Sequence, residues 1–178
     1  MGKISEILPV KLICGFISNN EEYFTQAGSI LESEYGKIDF TSKILPFVYT
    51  NYYEKEIGPD LFRQFISFEE LIMPENLSKI KIHTNNIEGQ LALKNKRQIN
   101  IDPGYITLAK LILATTKDHS HRIYIGDGIY AEITLHYFKK TFNPFEWTYP
   151  DYQSTEYINI FNQIRLIYYK QFCTLFKI

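Results

Sequence analysis

Cysteine is scarce in this 178-residue chain, which has Cys14 and Cys173 near its opposite ends. Two cysteines at this spacing form neither a zinc-ligand pattern nor the disulfide framework of a small secreted domain. A chain of this length buries a sizeable core without metals or cross-links, so we predict one domain over residues 1–178. We expect a cytoplasmic protein, and the sequence does not indicate a cofactor.

Long apolar runs and an excess of one charge are also missing. No stretch approaches the length of a transmembrane helix, and the N-terminus lacks the apolar region and cleavage site of a signal peptide. The chain has 19 basic and 20 acidic residues, so its net charge is −1. We therefore expect no membrane partner and no extensive nucleic-acid binding, which needs a basic field. The oligomeric state is left open.

Aromatic residues are abundant, with 14 tyrosines and 13 phenylalanines, and such residues favour sheets. Apolar spacing predicts helices at 20–35, about 74–94 and 155–176. Strands are predicted in the segments between them, at 10–18, within 37–58, at 61–70, 97–105 and 106–116, and in a hairpin at 121–137. The predicted fold class is a single α+β domain with a mainly antiparallel twisted sheet and a C-terminal helix. The order β-α-β-β-α-β is compatible with a ferredoxin-like core, extended by the hairpin.

The densest polar stretch, ATTKDHSHRIYIGDGIYAE at 114–132, contains this hairpin. Asp127-Gly128 suits a two-residue turn, in which both central positions have positive φ. That turn places His121 opposite Thr134 and beside Glu132, an arrangement suited to general acid–base chemistry. A turn of three residues instead reverses the parity and places Arg122 beside Glu132, as in an anion clamp. The sequence leaves both arrangements open.

The same two-residue turn also brings His119 and His136 onto the face of His121. Imidazole and carboxylate groups are metal ligands. We assign no metal site, however, because two histidines in the pattern H-x-H with one glutamate are a weak signal.

The predicted helix at 74–94 carries a line of polar residues. Lys81, Asn85 and Glu88 are spaced four and three residues apart, so they share one helical face. A lysine, an amide and a carboxylate in one line can bind a polar ligand. The same spacing also suits an exposed face stabilised by charge pairs.

Three further segments supply candidate residues. Asp102 begins an Asp-Pro-Gly sequence, which predicts a turn closed by the aspartate side chain. Lys117 precedes the hairpin and can hold an anion. Trp147 and Tyr149 lie in an aromatic segment that either covers a planar ligand or forms a satellite core cluster.

The chain resembles the DUF4416 family of uncharacterised proteins of bacteria and archaea. The resemblance covers nearly the whole chain, and five stretches carry it: TNYYEKEIG, RQFISFEELI, IKIHTNNIE, NIDPGYITLAKLILATTKDHSHRIYIGDGIYAEITL and WTYPDY. It implies no activity, fold or ligand. In this family the His-Arg pair at 121 and 122 is typical, whereas position 119 is often aromatic. The resemblance therefore favours His121, Arg122, Glu132, Asp102 and Lys117 as site residues.

The functional hypothesis is a small enzyme that acts on a phosphorylated or nucleotide-like molecule through a His/Arg/carboxylate pocket. His121, Glu132 and Asp102 would act in acid–base chemistry. The ligand would be held by Arg122, Lys117, Lys81, Asn85, Glu88, Trp147 and Tyr149. One alternative is a non-catalytic binding module for a small anion or nucleotide-like effector, and another is a structural or assembly protein.

Overall fold

A computed structural model describes residues 2–4 and 6–177 of the chain. In these residues the strands are β1 Val10–Ser18, β2 Ile38–Thr41, β3 Leu45–Pro46, β4 Phe62–Ile72, β5 Asn100–Ile106, β6 Lys110–Thr115, β7 Arg122–Gly126, β8 Ile129–Phe138 and β9 Thr141–Pro144. The helices are α1 Glu22–Tyr35, α2 Leu77–Gln90 and α3 Thr155–Phe176, and a short 3₁₀ turn at Pro74–Asn76 precedes α2. The predicted α+β fold class is confirmed.

The strands form one sheet in the order β2-β4-β1-β5-β6-β8-β7, with β3 added beside β4 and β9 beside β8. All of these pairings are antiparallel, as predicted. The first part of the chain runs β1-α1-β2-β3-β4-α2-β5, which contains the predicted order of elements and one extra, two-residue strand. The ferredoxin-like core stays a prediction.

Strand β1 lies at the centre of the core and is buried along its whole length. Leu12 and Phe16 pack on one side of the sheet with apolar residues of α1 and α2. Ile13 packs on the other side with apolar residues of α3. Helices therefore cover both faces of β1, which explains its nearly continuous apolar sequence.

Local contacts mark the ends of α1 and α3. Asn20 Oδ1 accepts a hydrogen bond from the Glu22 amide at 3.0 Å, and Gly36 ends α1 with φ of 86°. Helix α3 begins behind Ser154, whose hydroxyl accepts from the Tyr157 amide, and it spans the predicted residues. Helix α2 ends at Gln90, four residues before the predicted limit of 94.

The segment Asp102-Pro103-Gly104 corrects one prediction, because it lies inside β5 and is not a turn. Pro103 has no backbone N–H to offer a neighbouring strand. The ladder between β5 and β6 accordingly starts only at the pair Gly104–Leu113. A Cβ atom on Gly104 would lie 2.3 Å from the Ile112 carbonyl oxygen, so this crossing requires glycine. Towards Asn100 on β5 and Thr115 on β6, the two strands are no longer paired with each other.

The segment 47–61 replaces much of the strand predicted within 37–58. Its two ends are anchored by Phe47, Ile57 and Leu61, which pack with Ile17 in a small core cluster. We call it the 47–61 loop. Over the residues that the structure describes, no helix combines the length and apolarity that a bilayer span requires.

Candidate functional site

A cavity of about 470 Å³ lies beside the point where β5 and β6 part. Helix α2, the 47–61 loop, the β7–β8 hairpin and the segment 149–152 complete its walls. The lining holds five basic residues, five acidic residues and five tyrosines: Arg63, Lys81, Arg97, Lys117 and Arg122; Glu56, Glu88, Asp102, Glu132 and Asp151; Tyr49, Tyr52, Tyr53, Tyr149 and Tyr152. The charged side chains of the cavity are therefore balanced in sign.

Helix α2 closes the gap that β6 leaves along β5. Lys81 Nζ donates to the Ile101 carbonyl at 2.9 Å, and Glu88 accepts from the Ile101 amide at 2.6 Å. Side chains of α2 thus satisfy backbone groups that a neighbouring strand would otherwise pair. Lys81 and Glu88 are buried, and Asn85 lines the cavity beside them. The predicted polar face of this helix therefore points to the cavity, and the alternative of an exposed charge face is wrong.

Arg63 on β4, which sequence reasoning missed, lies at the base of the cavity and is 1% exposed. Its NH1 donates to Asp102 Oδ2 at 3.2 Å, and its NH2 donates to the Tyr152 hydroxyl at 2.8 Å. Asp151 Oδ2 lies 3.6 Å from the same NH2. The guanidinium carbon also lies within 4.8 to 5.8 Å of four ring centroids, those of Phe47, Phe65, Tyr152 and Tyr157. Such a cage holds a buried cation through the ring quadrupoles.

Three carboxyl groups of the cavity, those of Asp102, Asp151 and Glu88, have shifted pKa values. Burial raises the pKa of Asp151 and of Glu88, and the nearby cations offset this only in part. Burial acts on Asp102 in the same direction, but Lys81 and Arg63 outweigh it and hold the pKa of Asp102 below its ordinary value. Of these three groups, Asp102 is therefore firmly ionised, whereas Asp151 and Glu88 are closer to protonation.

The hairpin wall combines both predicted alternatives. The turn has two residues, as predicted, with φ of 55° at Asp127 and 76° at Gly128. One extra residue, Ile125, forms a bulge between the pairs Tyr124–Tyr130 and Gly126–Ile129. The bulge reverses the parity, so Arg122 faces Glu132, which is the second of the two arrangements that the sequence left open.

Glu132 nevertheless contacts both candidates. Arg122 Nε donates to Glu132 Oε2 at 2.9 Å, and His121 Nε2 lies 3.1 Å from the same oxygen. Arg122 and Glu132 line the cavity, whereas His121 lies behind them and does not. His136 pairs with Lys110 and Asn143 in the sheet, so it does not lie opposite His119, where an unbulged hairpin with a two-residue turn would place it.

Trp147 lies on the outer side of this wall and does not line the cavity. Its ring is nearly parallel to that of His121 at 5.6 Å and to that of Phe145 at 4.6 Å. Its indole Nε1 donates to the Ile133 carbonyl at 3.0 Å. Tyr149, in contrast, lines the cavity near Arg122, whose NH2 lies 3.5 Å from the Tyr149 hydroxyl.

The 47–61 loop covers the cavity and is held by two basic residues of the opposite wall. Lys117 Nζ donates to the Tyr52 hydroxyl at 3.0 Å and lies 4.1 Å from the centre of that ring. Arg97 NH2 lies 2.9 Å from Glu56, and its NH1 lies 3.1 Å from Glu88. Lys117, predicted as an anion ligand, therefore stands at the mouth.

A family model described as a domain of unknown function (DUF4416) matches residues 8–168. The chain belongs to the DUF4416 family. No curated protein and no solved structure shows a significant match to it. Membership in DUF4416 confirms the resemblance found in the sequence. It assigns no ligand, so the chemistry of the site follows from the residues of this chain alone.

Eight of the ten predicted site residues, which come from four separate segments of the chain, line this cavity. The cavity brings together Asp102, Glu132, Arg122, Lys117, Lys81, Asn85, Glu88 and Tyr149, and it leaves His121 and Trp147 outside. Among the described residues, no three His, Cys, Asp or Glu side chains are placed to hold a metal ion. The roles of these residues stay predictions.

Proposed function

We propose that the protein binds a small anionic molecule, phosphorylated or nucleotide-like, in this cavity and acts on it as an enzyme. One observation carries the proposal. Three residues of the cavity lining have a buried polar atom without a partner among the described residues, and all three atoms are N–H donors: Asn100 Nδ2, Arg63 Nε and Arg97 Nε. A buried donor left unpaired costs about 1–3 kcal/mol. Phosphate and carboxylate oxygens are the acceptors that such donors lack.

Two lysines add spare donors at opposite ends of the cavity. Lys81 Nζ has one close acceptor, the Ile101 carbonyl, and lies 3.9 Å from Asp102. The Nζ group of Lys117 at the mouth contacts only the Tyr52 side chain among the residues that the structure describes. An ammonium group offers three donors, so each lysine can bind an anion without losing its present contact.

The tyrosines at the mouth suit the planar part of a nucleotide-like ligand. Tyr49, Tyr52 and Tyr149 line the cavity and are 41%, 52% and 51% exposed. Exposed aromatic faces stack on planar rings and on bases. In this proposal the ring of the ligand lies at the mouth and its anionic group points inward.

The enzymatic part of the proposal is supported by the unequal carboxyl groups. Asp102 is held ionised and can accept a proton, whereas Asp151 is shifted towards its protonated form. Carboxyl groups with opposite shifts are the arrangement that acid–base catalysis uses. His121 would act indirectly, by holding Glu132 in place.

A non-catalytic binding module is the second candidate. It is favoured by the position of His121, which stands outside the cavity although its side chain is the one best suited to proton transfer near neutral pH. Both candidates require the same binding site. They differ in whether a bound compound is converted.

Thermal shift and calorimetry test the binding site, with inorganic phosphate, nucleoside monophosphates and sugar phosphates as probes. A probe at 100 times its Kd adds about 2.7 kcal/mol, which raises Tm by about 5–10 °C in a domain of this size. Asn100→Asp replaces the unpartnered N–H₂ group with a negative oxygen of the same shape and should weaken binding at least about tenfold. Asn159→Asp, at an exposed position of α3, is the matched control and should bind normally.

No shift with any of these anions in the folded protein would overturn the proposal. Chromatography of each bound probe after incubation then separates the two candidates. Conversion that is lost in Asp102→Asn supports the enzyme, whereas binding without conversion supports the module.

A further inference from the structure

Asp102 and Asp151 share one guanidinium group at the base of the cavity. Asp102 Oδ2 lies 3.2 Å from NH1 of Arg63, and Asp151 Oδ2 lies 3.6 Å from NH2. Lys81 adds a second cation near Asp102, at 3.9 Å. The NH2 group of Arg63 is also engaged by the Tyr152 hydroxyl at 2.8 Å. Asp151 is therefore the less compensated of the two carboxyl groups.

The other elements around Asp151 bring no further cation to it. Arg63 of β4 is the only described positive group within 4 Å of it, and Asp102 of β5 contributes a negative charge. The remaining titratable neighbours are the phenols of Tyr157 on α3 and Tyr53 in the 47–61 loop, together with the adjoining Tyr152. Burial raises the pKa of each of these phenols, so they stay neutral near pH 7.

A bound anion would upset the balance of five positive and five negative side chains in the cavity. In a site of low dielectric, an uncompensated negative charge is costly. The added charge is compensated at the lowest free energy when one proton binds to the carboxyl group whose contact with a cation is weakest. Solvent supplies that proton, so a bound monoanion leaves the total charge of the cavity unchanged, and a dianion such as sulfate adds one negative charge instead of two.

We infer that anion binding in this cavity is coupled to the uptake of one proton by Asp151, which then donates its O–H group to an oxygen of the ligand. The inference rests on the proposed function and specifies its ligand as an oxyanion that accepts a hydrogen bond from a carboxylic acid. Asp102 stays ionised in this scheme.

Two observations support it independently. Asn100, which is 4% exposed, lines the same cavity with an unpartnered Nδ2, so a ligand is expected there on grounds other than charge. Burial raises the pKa of Asp151 and the charge of Asp102 adds to that rise, whereas the pKa of Asp102 itself is lowered. Burial also raises the pKa of Glu88, but Glu88 keeps Arg97 at 3.1 Å and the Ile101 amide at 2.6 Å, so Asp151 is the preferred acceptor of the proton.

Sulfate is the probe for the test, because its charge stays constant between about pH 5 and pH 8. Calorimetry in two buffers of different ionisation enthalpy counts the protons taken up as sulfate binds. We expect one proton per sulfate in the wild type, and affinity that falls up to about tenfold for each pH unit above the pKa of Asp151. Asp151→Asn carries a permanent neutral group of the same shape. It should take up no proton, bind independently of pH, and exceed the wild-type affinity at pH 8.

Four further variants keep the result interpretable. Asp118→Asn, at an exposed position outside the cavity, should behave as the wild type. Asp102→Asn removes a fixed negative charge, so it should bind sulfate more tightly throughout while still taking up a proton. Glu88→Gln tests the other carboxyl group whose pKa burial raises, and His121→Gln tests the imidazole beside Glu132.

Proton uptake that persists in Asp151→Asn, or that disappears in Glu88→Gln or His121→Gln instead, would overturn the inference. Sulfate binding without proton uptake, abolished by Asn100→Asp, would overturn it as well and leave the proposed function standing. Absence of sulfate binding at every pH also counts against this inference alone, because the phosphate probes judge the proposed function separately.

Discussion

Arg122 and Glu132 form a buried ion pair across strands β7 and β8, with 2.9 Å between Nε and Oε2 and both side chains 4% exposed. The pair exists because the bulge at Ile125 turns Arg122 to the same side of the hairpin as Glu132. Arg122 also donates to the Lys117 carbonyl at 3.0 Å. One guanidinium therefore joins the hairpin to the segment that carries the lysine at the mouth.

Arg122→Met should destabilise the fold, because it leaves the Glu132 carboxylate buried without its cation. We expect a loss of about 3–5 kcal/mol in the free energy of unfolding, measured in urea near pH 7. Lys43→Met is the control, because Lys43 and Glu156 form an ion pair whose side chains are 70% and 56% exposed, respectively. It should cost less than about 1 kcal/mol. Equal losses in the two variants would contradict the buried pair.

Gly104→Ala should destabilise the junction of β5 and β6. The added Cβ would meet the Ile112 carbonyl oxygen at 2.3 Å, so the backbone must shift at a cost of about 1–3 kcal/mol or more. Gly89→Ala, in α2, meets nothing within 4 Å and should instead stabilise the protein by about 0.4–1 kcal/mol. Thermal unfolding of the two variants should therefore give shifts of opposite sign.

Glu56→Gln should loosen the 47–61 loop, because it removes the charge that holds Arg97. The Glu56 side chain is 50% exposed, so the effect is about 0.2–1 kcal/mol and the fold stays intact. Hydrogen exchange should become faster at 47–61 while β1 keeps its protection. If exchange at 47–61 stays unchanged, this ion pair does not hold the loop closed.

Tyr35→Phe should change how stability depends on pH in the alkaline range. Burial raises the pKa of Tyr35 to about 12, whereas an unfolded tyrosine titrates near about 10. The folded state holds the proton more tightly, so this contribution is complete below about pH 10 and is lost as pH rises towards about 12. The wild type should therefore lose stability more steeply than Tyr35→Phe between these values. Parallel urea-midpoint curves would show that Tyr35 does not contribute.

Elements with strong local signals were predicted well. The apolar run of β1 and the helical periodicity of α3 predicted the observed bounds, because each pattern extends over nine residues or more. The turn predicted at Asp102-Pro103-Gly104 was wrong, because the local preference for a turn is outweighed by pairing with β1 along the whole of β5. Tertiary pairing of this kind has no local signature.

The candidate site shows a similar division. Lys81, Asn85 and Glu88 could be grouped because helical spacing alone puts them on one face. Arg63 and Asp151 could not, because their contact joins strand β4 to a distant loop. A charged residue inside a long strand is a signal in itself, since a buried arginine needs a partner. The two-residue turn of the hairpin was predicted, but the register was not, because the bulge at Ile125 reverses the register and leaves the turn unchanged.

The stack of Trp147 on His121 has a practical consequence, because the chain contains a single tryptophan. His121 contacts Glu132, and Glu132 lines the cavity. The whole tryptophan emission of the protein therefore originates from one indole that is two contacts away from the cavity. We therefore expect occupancy of the cavity by the proposed ligand to change the intrinsic fluorescence of the native protein, without an attached dye.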